Sequence, residues 1–295
     1  MKKVVSLFFA ILMMVSLTTA AFAEVFVGEE TMSDYYVEEM VAYGADAISA
    51  VDEAEIKAKI ETRLQNEDLT LIGVATKSVY VTEGYNADGV YESRFMTKEE
   101  VQGLQAKKAS SNGMARNLGE DSETDGRLTI TISAYTNNAR YQTIVYGDAV
   151  WSSSNLPFDP SQDPSFGEDY MQLSWGGGNE YLVADSYSCS GQYMDGTRFY
   201  PARAYSAPYA GYCWRFNEVR PENYSPATSI SGMVTLGLTY GYNNMQGRQT
   251  YAQFNYIHTY ASTESSVVIS VPPALQISNC ESQWPLSVAL SGIPY

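Results

Sequence analysis

The sequence predicts a mainly β protein: an antiparallel β-sandwich, jelly-roll-like or immunoglobulin-like, preceded by a small acidic α-rich segment. Three observations carry that expectation. Beyond Gly126, stretches of about ten residues alternate apolar and polar side chains, as in Leu128, Ile130, Ile132 and Ala134 against Thr129, Thr131, Ser133 and Tyr135. Turn residues such as Asn137-Asn138 and Gly176-Gly177-Gly178 separate these stretches at short intervals, which favours antiparallel neighbours. Helical periodicity is nearly absent from residues 126–295 and concentrates in the acidic part before them.

Residues 1–23 read as a secretory signal peptide. Lys2 and Lys3 give a positive start, Val4 to Leu17 an apolar stretch, and Ala21-Phe22-Ala23 a small-x-small cleavage site, so the mature chain is expected to begin at Glu24. No later segment approaches the ~20 apolar residues of a spanning helix, and the expected product is secreted and soluble with no transmembrane segment.

Residues 24–106 read as an acidic helical region with short strands. Tyr36, Val37, Met40, Val41 and Ile48 recur at spacings of three, four and seven, which predicts a helix from about Ser33. Asp52 and Glu55 match a capping box for a second helix, with the apolar stripe Ile56, Ile60 and Leu64. Leu69 to Ala75 and Ser78 to Thr82 read as two strands divided by Thr76-Lys77. Thr97 with Glu100 matches another capping box, for a helix ending near Ala106. Residues 107–126 lack an apolar period and read as a linker, and 127–295 form the β-sandwich domain. The N-terminal region fits a separate domain, a helical cover over the sandwich, or a pro-segment cut after export at Lys107-Lys108.

Within 127–295, three hairpins are expected. One joins RLTITISAYT to ARYQTIVYGDAVW, one joins MQLSW to EYLVADSY, and one joins VTLGLTY to YAQFNYIHTY through Asn243 to Gly247. The stretches YAGYCWRF, SSVVISV, ALQIS and QWPLSVAL supply further strands. Parity puts Ala252, Phe254, Tyr256, His258 and Tyr260 on one face. His258, the chain's single histidine, is therefore expected in the core as a neutral, hydrogen-bonded packing residue.

Charge and residue budget narrow the chemistry. The formal net charge is −16; residues 24–125 hold 22 acidic and 9 basic side chains, and residues 126–295 hold 12 and 7. A chain of that sign repels phosphate backbones, which argues against nucleic acid as a partner. Cys189, Cys213 and Cys280 allow at most one intramolecular disulfide and show no metal-finger spacing. One imidazole gives a metal only one nitrogen ligand, and no G-x-S-x-G elbow is present.

Three candidate sites follow from what remains. A hydrolase working with two carboxyl groups roughly 5–10 Å apart would draw on Asp148, Glu180, Asp185 and Asp195. The loop from Ser152 to Asp169 carries Asp159, Asp163, Glu168 and Asp169, oxygen ligands suited to calcium, although the spacing is not that of an EF-hand and its prolines alone would stiffen the loop. No other cofactor is expected. The segment from Arg198 to Phe216 is dense in aromatics, and Tyr205, Tyr209, Tyr212, Trp214 and Arg215 are the candidate ligand-binding residues, since flat rings with polar edges stack on sugars and anchor protein interfaces. The reading that follows is a secreted, non-enzymatic binding protein recognising a glycan or protein at the cell surface or extracellularly. The alternatives are a secreted carboxylate-pair hydrolase, or a membrane-active or antibacterial protein released from an acidic pro-segment.

Overall fold

In the computed structural model, the alternating stretches become two antiparallel sheets packed face to face. The structure describes residues 34–66, 68–111, 125–140, 142–152, 168–176, 181–220, 222, 225–239, 247–260, 266–270, 274–278 and 282–295. The expected signal peptide, residues 112–124 of the expected linker, Asp159, Asp163, Glu180, Cys280 and the Asn243-Asn244 turn lie outside the described residues.

In chain order the strands are β1 (Val37–Tyr43), β2 (Leu69–Tyr85), β3 (Tyr91–Phe95), β4 (Asp125–Asn137), β5 (Gln142–Trp151), β6 (Glu168–Trp175), β7 (Leu182–Tyr193) and β8 (Arg198–Phe199). They continue as β9 (Ala202–Ala207), β10 (Gly211–Asn217), β11 (Val219–Arg220), β12 (Ser225–Leu238), β13 (Gln249–Thr259), β14 (Ser266–Ser270), β15 (Ala274–Ser278) and β16 (Gln283–Pro294). A 3-10 turn at Ala45–Ala50 and the helices α1 (Ala54–Leu64) and α2 (Lys98–Ser111) complete the described elements. The larger sheet runs β1-β2-β4-β5-β12-β7-β8, with β3 beside β2 and β11 beside β12. The smaller runs β16-β13-β6-β10-β9, and β14 pairs with β15 apart from both.

Leu128, Ile130, Ile132 and Ala134 all point inward and are fully buried, as their alternation predicts. They meet Leu173, Phe254, Tyr256 and Leu286 of the smaller sheet. The sheets approach so closely at Gly147 of β5 that a Cβ there would lie 2.6 Å from Phe254 Cδ2 and 2.8 Å from Leu173 Cδ2. Gly147→Val is therefore expected to cost about 1–3 kcal/mol by overpacking. Urea denaturation reads this as a lower midpoint at unchanged slope, and an unshifted midpoint would mean that the sheets part freely at this point.

The β4–β5 hairpin forms as expected, in register from Leu128 opposite Trp151 to Asn137 opposite Gln142. The other two expected hairpins do not. β6 and β7 belong to opposite sheets, and so do β12 and β13. Alternation marks a strand with one apolar face, but two such faces are buried equally well by pairing side by side or by lying across the sandwich from each other.

The N-terminal region also departs from its periodicity. Val37–Tyr43 is a strand, not a helix, and all seven residues pair with β2 from Val79 to Gly73. Val and Tyr favour extended backbone, and an unsatisfied sheet edge next to them outweighs a weak helical pattern. The two short strands expected at 69–82 merge into the single 17-residue β2, with Thr76 and Lys77 continuing the ladder. The first turn of α1 closes from Lys57 N–H to the Glu53 carbonyl, one residue later than a box at Asp52 requires, and no side chain caps it. The box at Thr97 does form: Thr97 N–H donates to Glu100 Oε2 at 2.7 Å, and Glu100 N–H to Thr97 Oγ1 at 3.3 Å. Its helix, α2, continues past Ala106 to Ser111, through the expected start of the linker.

α1 covers the outer face of the larger sheet, where Ile56 and Ile60 pack with Leu71, Val74, Tyr135 and Val150 in a second core. Arg63 fastens it. The guanidinium lies 3.8 Å over the Tyr146 ring and grips buried Asp148 with two bonds of 2.8 Å, one to each carboxylate oxygen. Ser231 Oγ donates to the same carboxylate at 2.7 Å.

Candidate functional site

Four inward-facing stripes end in an ionisable residue at one end of the sandwich. On β2 the stripe Val79, Val81 continues to Glu83. On β10 the stripe Tyr212, Trp214, Phe216 continues to Glu218 just past the strand. On β13 the stripe Phe254, Tyr256 continues to His258. On β6, which runs the other way, the stripe Trp175, Leu173, Met171 ends at Asp169. Strand parity thus drives three carboxyl groups and the single imidazole into one buried place.

Contacts within the cluster are direct. His258 Nε2 lies 3.1 Å from Glu83 Oε1, and Nδ1 lies 3.1 Å from Asp169 Oδ1 and 3.5 Å from Glu218 Oε1. The Tyr256 hydroxyl donates to Asp169 Oδ2 in a short bond, and Thr259 N–H donates to Asp169 Oδ1 at 3.1 Å. The Trp284 ring lies against the imidazole and sends its own N–H to Ser93 Oγ at 2.9 Å. Side chains of Glu83, Asp169, Glu218 and His258 are at most 2% exposed.

This corrects one half of the expectation for His258. The residue is buried as parity predicts, but it is not neutral. Burial pushes its pKa down, yet Glu218, Asp169 and Glu83 together outweigh that and hold it well above the ordinary value of 6.5. Three acidic side chains thus ring the imidazole. Burial and the Asp169 charge likewise push the Tyr256 hydroxyl well above 10, so it stays a donor.

The second feature is an aromatic rim where β7 and β9 leave the sandwich open. Tyr187 of β7 stacks on Tyr212 of β10, with ring centroids 4.1 Å apart and planes at 23°. Tyr212 in turn stacks with Trp175 and Trp214. Arg203 of β9 lies over Tyr187, 5.5 Å from its centroid, and also donates to its hydroxyl. A bulge on β9 moves the register from Tyr205 opposite Cys213 to Arg203 opposite Trp214, which turns Arg203 and Tyr205 to opposite faces. Next to them the turn after β9 carries Tyr209, and its Pro208 carbonyl accepts from Ala184 N–H of β7.

The five aromatic-segment candidates therefore divide. Tyr212 and Trp214 are core residues at 4% and 2% exposure, while Tyr205 and Tyr209 reach solvent. Arg215 is exposed and pairs with Glu168 at 3.0 Å. Tyr187, absent from the sequence-derived set, is 40% exposed and holds the centre of the rim. Of the four acids proposed for calcium, the two described ones point to opposite faces of β6, Glu168 out to Arg215 and Asp169 in to His258.

The three described acids proposed for a hydrolase each have their own partner. Asp148 holds Arg63, Asp185 accepts from Gln142 Nε2 at 2.7 Å, and Asp195 pairs with Arg220 at 2.9 Å. Burial raises the Asp148 carboxyl, but Arg63 overrides it and keeps the group below its ordinary range, the wrong direction for a general acid. Cys189 and Cys213 are free thiols, and burial pushes the Cys213 thiol up to about 12, which leaves it unreactive. A cleft of about 270 Å³ beside β1 is lined by groups already engaged, Arg127 with Glu38 and Ser78 with Thr129. Among the described residues, no helix is long and apolar enough to cross a membrane.

No family model and no curated protein matches the chain. One matching solved structure, described as "pH-induced modulation of Streptococcus parasanguinis adhesion by Fap1 fimbriae", aligns over 74% of this chain and 96% of that chain. The match has 11% identity and a TM-score of 0.28.

Proposed function

We propose that the chain is an exported, non-enzymatic binding protein that engages a glycan or protein outside the cell through the rim formed by Tyr187 and Arg203, with the exposed Tyr209 of the turn after β9. The observation that carries this reading is the Tyr187 ring. It stacks on Tyr212 and is held at its hydroxyl by Arg203, yet is 40% exposed. A ring fixed before its ligand arrives loses little conformational entropy on binding, and a flat tyrosine face suits the C–H face of a sugar or the apolar part of a protein surface. The signal-like first 23 residues support export. A protein partner has one further support: β9 is an outer strand of the smaller sheet, with a backbone edge that no described strand pairs.

The test is a glycan array run in parallel with capture of surface proteins. Tyr187→Ala is expected to weaken binding about tenfold or more, since a central aromatic anchor carries a large share of the energy. Trp214→Ala is a poor test because that ring supports the core. Binding left intact by Tyr187→Ala and by Tyr209→Ala would sink the assignment of the rim.

A further inference from the structure

The buried ring of carboxylates has an arrangement that a packing role does not require. Three acidic side chains converge on one imidazole between the sheets, a placement that is costly unless their oxygens are engaged. Glu83 Oε2 is buried and has no hydrogen-bond partner among the described residues, although its sister oxygen is 3.1 Å from His258 Nε2. Glu83, Glu218 and His258 present ligand atoms within 4.8 Å of one another.

We propose that this cluster binds one divalent transition cation of the zinc or manganese class, through His258 Nε2 and the carboxylates of Glu83 and Glu218. Ligand atoms about 2.0–2.2 Å from a tetrahedral ion lie roughly 3.3–3.6 Å apart, close to the separation of Nε2 from Glu83. Glu218 Oε1 meets the ring from its Nδ1 side at 3.5 Å, so an ion on Nε2 requires this carboxylate to turn toward Glu83. The nitrogen favours these ions over calcium, which takes oxygen ligands alone.

Asp169 completes the arrangement as a positioning residue. Metal-bound imidazoles give their other N–H to a carboxylate, which fixes the tautomer and ring orientation. Asp169 stands 3.1 Å from Nδ1 and is itself held by Tyr256 and Thr259. A cation here joins β2 of the larger sheet to β10 and β13 of the smaller. Since the ligands are buried, its role is structural and no substrate reaches it.

The single histidine makes the test unambiguous, because one imidazole spin system reports on the site. The full chain, stripped with chelator, is titrated with zinc and separately with manganese by calorimetry, and the imidazole nitrogens are followed by NMR during the zinc titration. The expected result is one equivalent bound, with Nε2 changing to a metal-bound nitrogen while Nδ1 keeps its proton. Glu83→Gln is expected to weaken binding at least 10- to 100-fold, and Asp169→Asn to weaken it while altering the Nδ1–H resonance. An imidazole spectrum unchanged at saturating zinc overturns the proposal, as does equal affinity in folded Glu83→Gln. Binding at other surface acids is recognised by that same unchanged spectrum, and the parent protein alone decides the matter should a variant fail to fold.

Discussion

Arg63→Met is expected to lower the stability of the protein by about 3–5 kcal/mol, a large part of what a domain of this kind possesses. The change removes both 2.8 Å bonds to Asp148 and leaves a fully buried carboxylate with the Ser231 hydroxyl as its remaining donor. It also strips α1 of its hold on the sheet, beyond the contacts of Ile56 and Ile60. The double variant Arg63→Met/Asp148→Leu is expected to recover more than half of the loss, because the cost lies in the orphaned charge more than in the missing pair. Urea denaturation of the parent and both variants measures this. The pH dependence adds a second reading. In the parent, Asp148 sits below its unfolded value, so its contribution is present above about pH 4 and is lost as pH falls through the folded value. In Arg63→Met, burial, the largest influence on Asp148, is opposed only by the Lys59 charge and the Ser231 bond and raises that carboxyl, so acidification should stabilise the variant relative to neutral pH. A loss under about 1 kcal/mol, with the parent's pH profile retained, would show that Arg63 does not grip Asp148 in solution.

What could be read from the chain, and what could not, divides along physical lines. Facing is local: the alternation of Leu128 to Ala134 and of Ala252 to His258 names the inward side of each strand without any partner, and both are buried as expected. Pairing is not local. Nothing in MQLSW or YAQFNYIHTY says which sheet takes it, so two of the three expected hairpins split between the sheets although all six strands exist. The strand at Val37–Tyr43 is hidden for the same reason, since its extended form depends on an edge 30 to 42 residues away in sequence.

The cluster around His258 lay between these cases. Glu83, Asp169 and Glu218 each extend an apolar stripe by one inward step, a signal present in the sequence at three separate places. Parity could have flagged each as an acid on a buried face. Their convergence needed the knowledge that β6 runs antiparallel to β10 and β13, and that β2 crosses above them. Tyr187 escaped notice because DSYSCS lacks the aromatic density of the segment from Arg198 to Phe216, and its importance comes from the stack with Tyr212.

His258→Asn, compared with the parent in chelator, is expected to cost about 3–5 kcal/mol near pH 7, because it deletes the one cation among Glu83, Asp169 and Glu218. The sign of its pH dependence separates this cause from a simple loss of packing. In the parent, the imidazole has a raised folded pKa, so its contribution is complete below its unfolded value near 6.5 and is lost as pH rises through the folded value. Between about pH 5 and about pH 7 the parent therefore loses little from this group. In the variant, a crowded acidic site is left buried without its one cation, a condition that acid relieves. Its stability should climb as pH falls from about 7 to about 5, since the folded state then binds more protons than the unfolded one. Adding Glu218→Gln should recover part of the neutral-pH loss by removing one of the three acids. Denaturation curves at the two pH values, for parent, single and double variant, distinguish the causes. A packing defect would shift the single variant equally at both and would gain nothing from Glu218→Gln, whereas unbalanced charge makes the gap narrow on acidification.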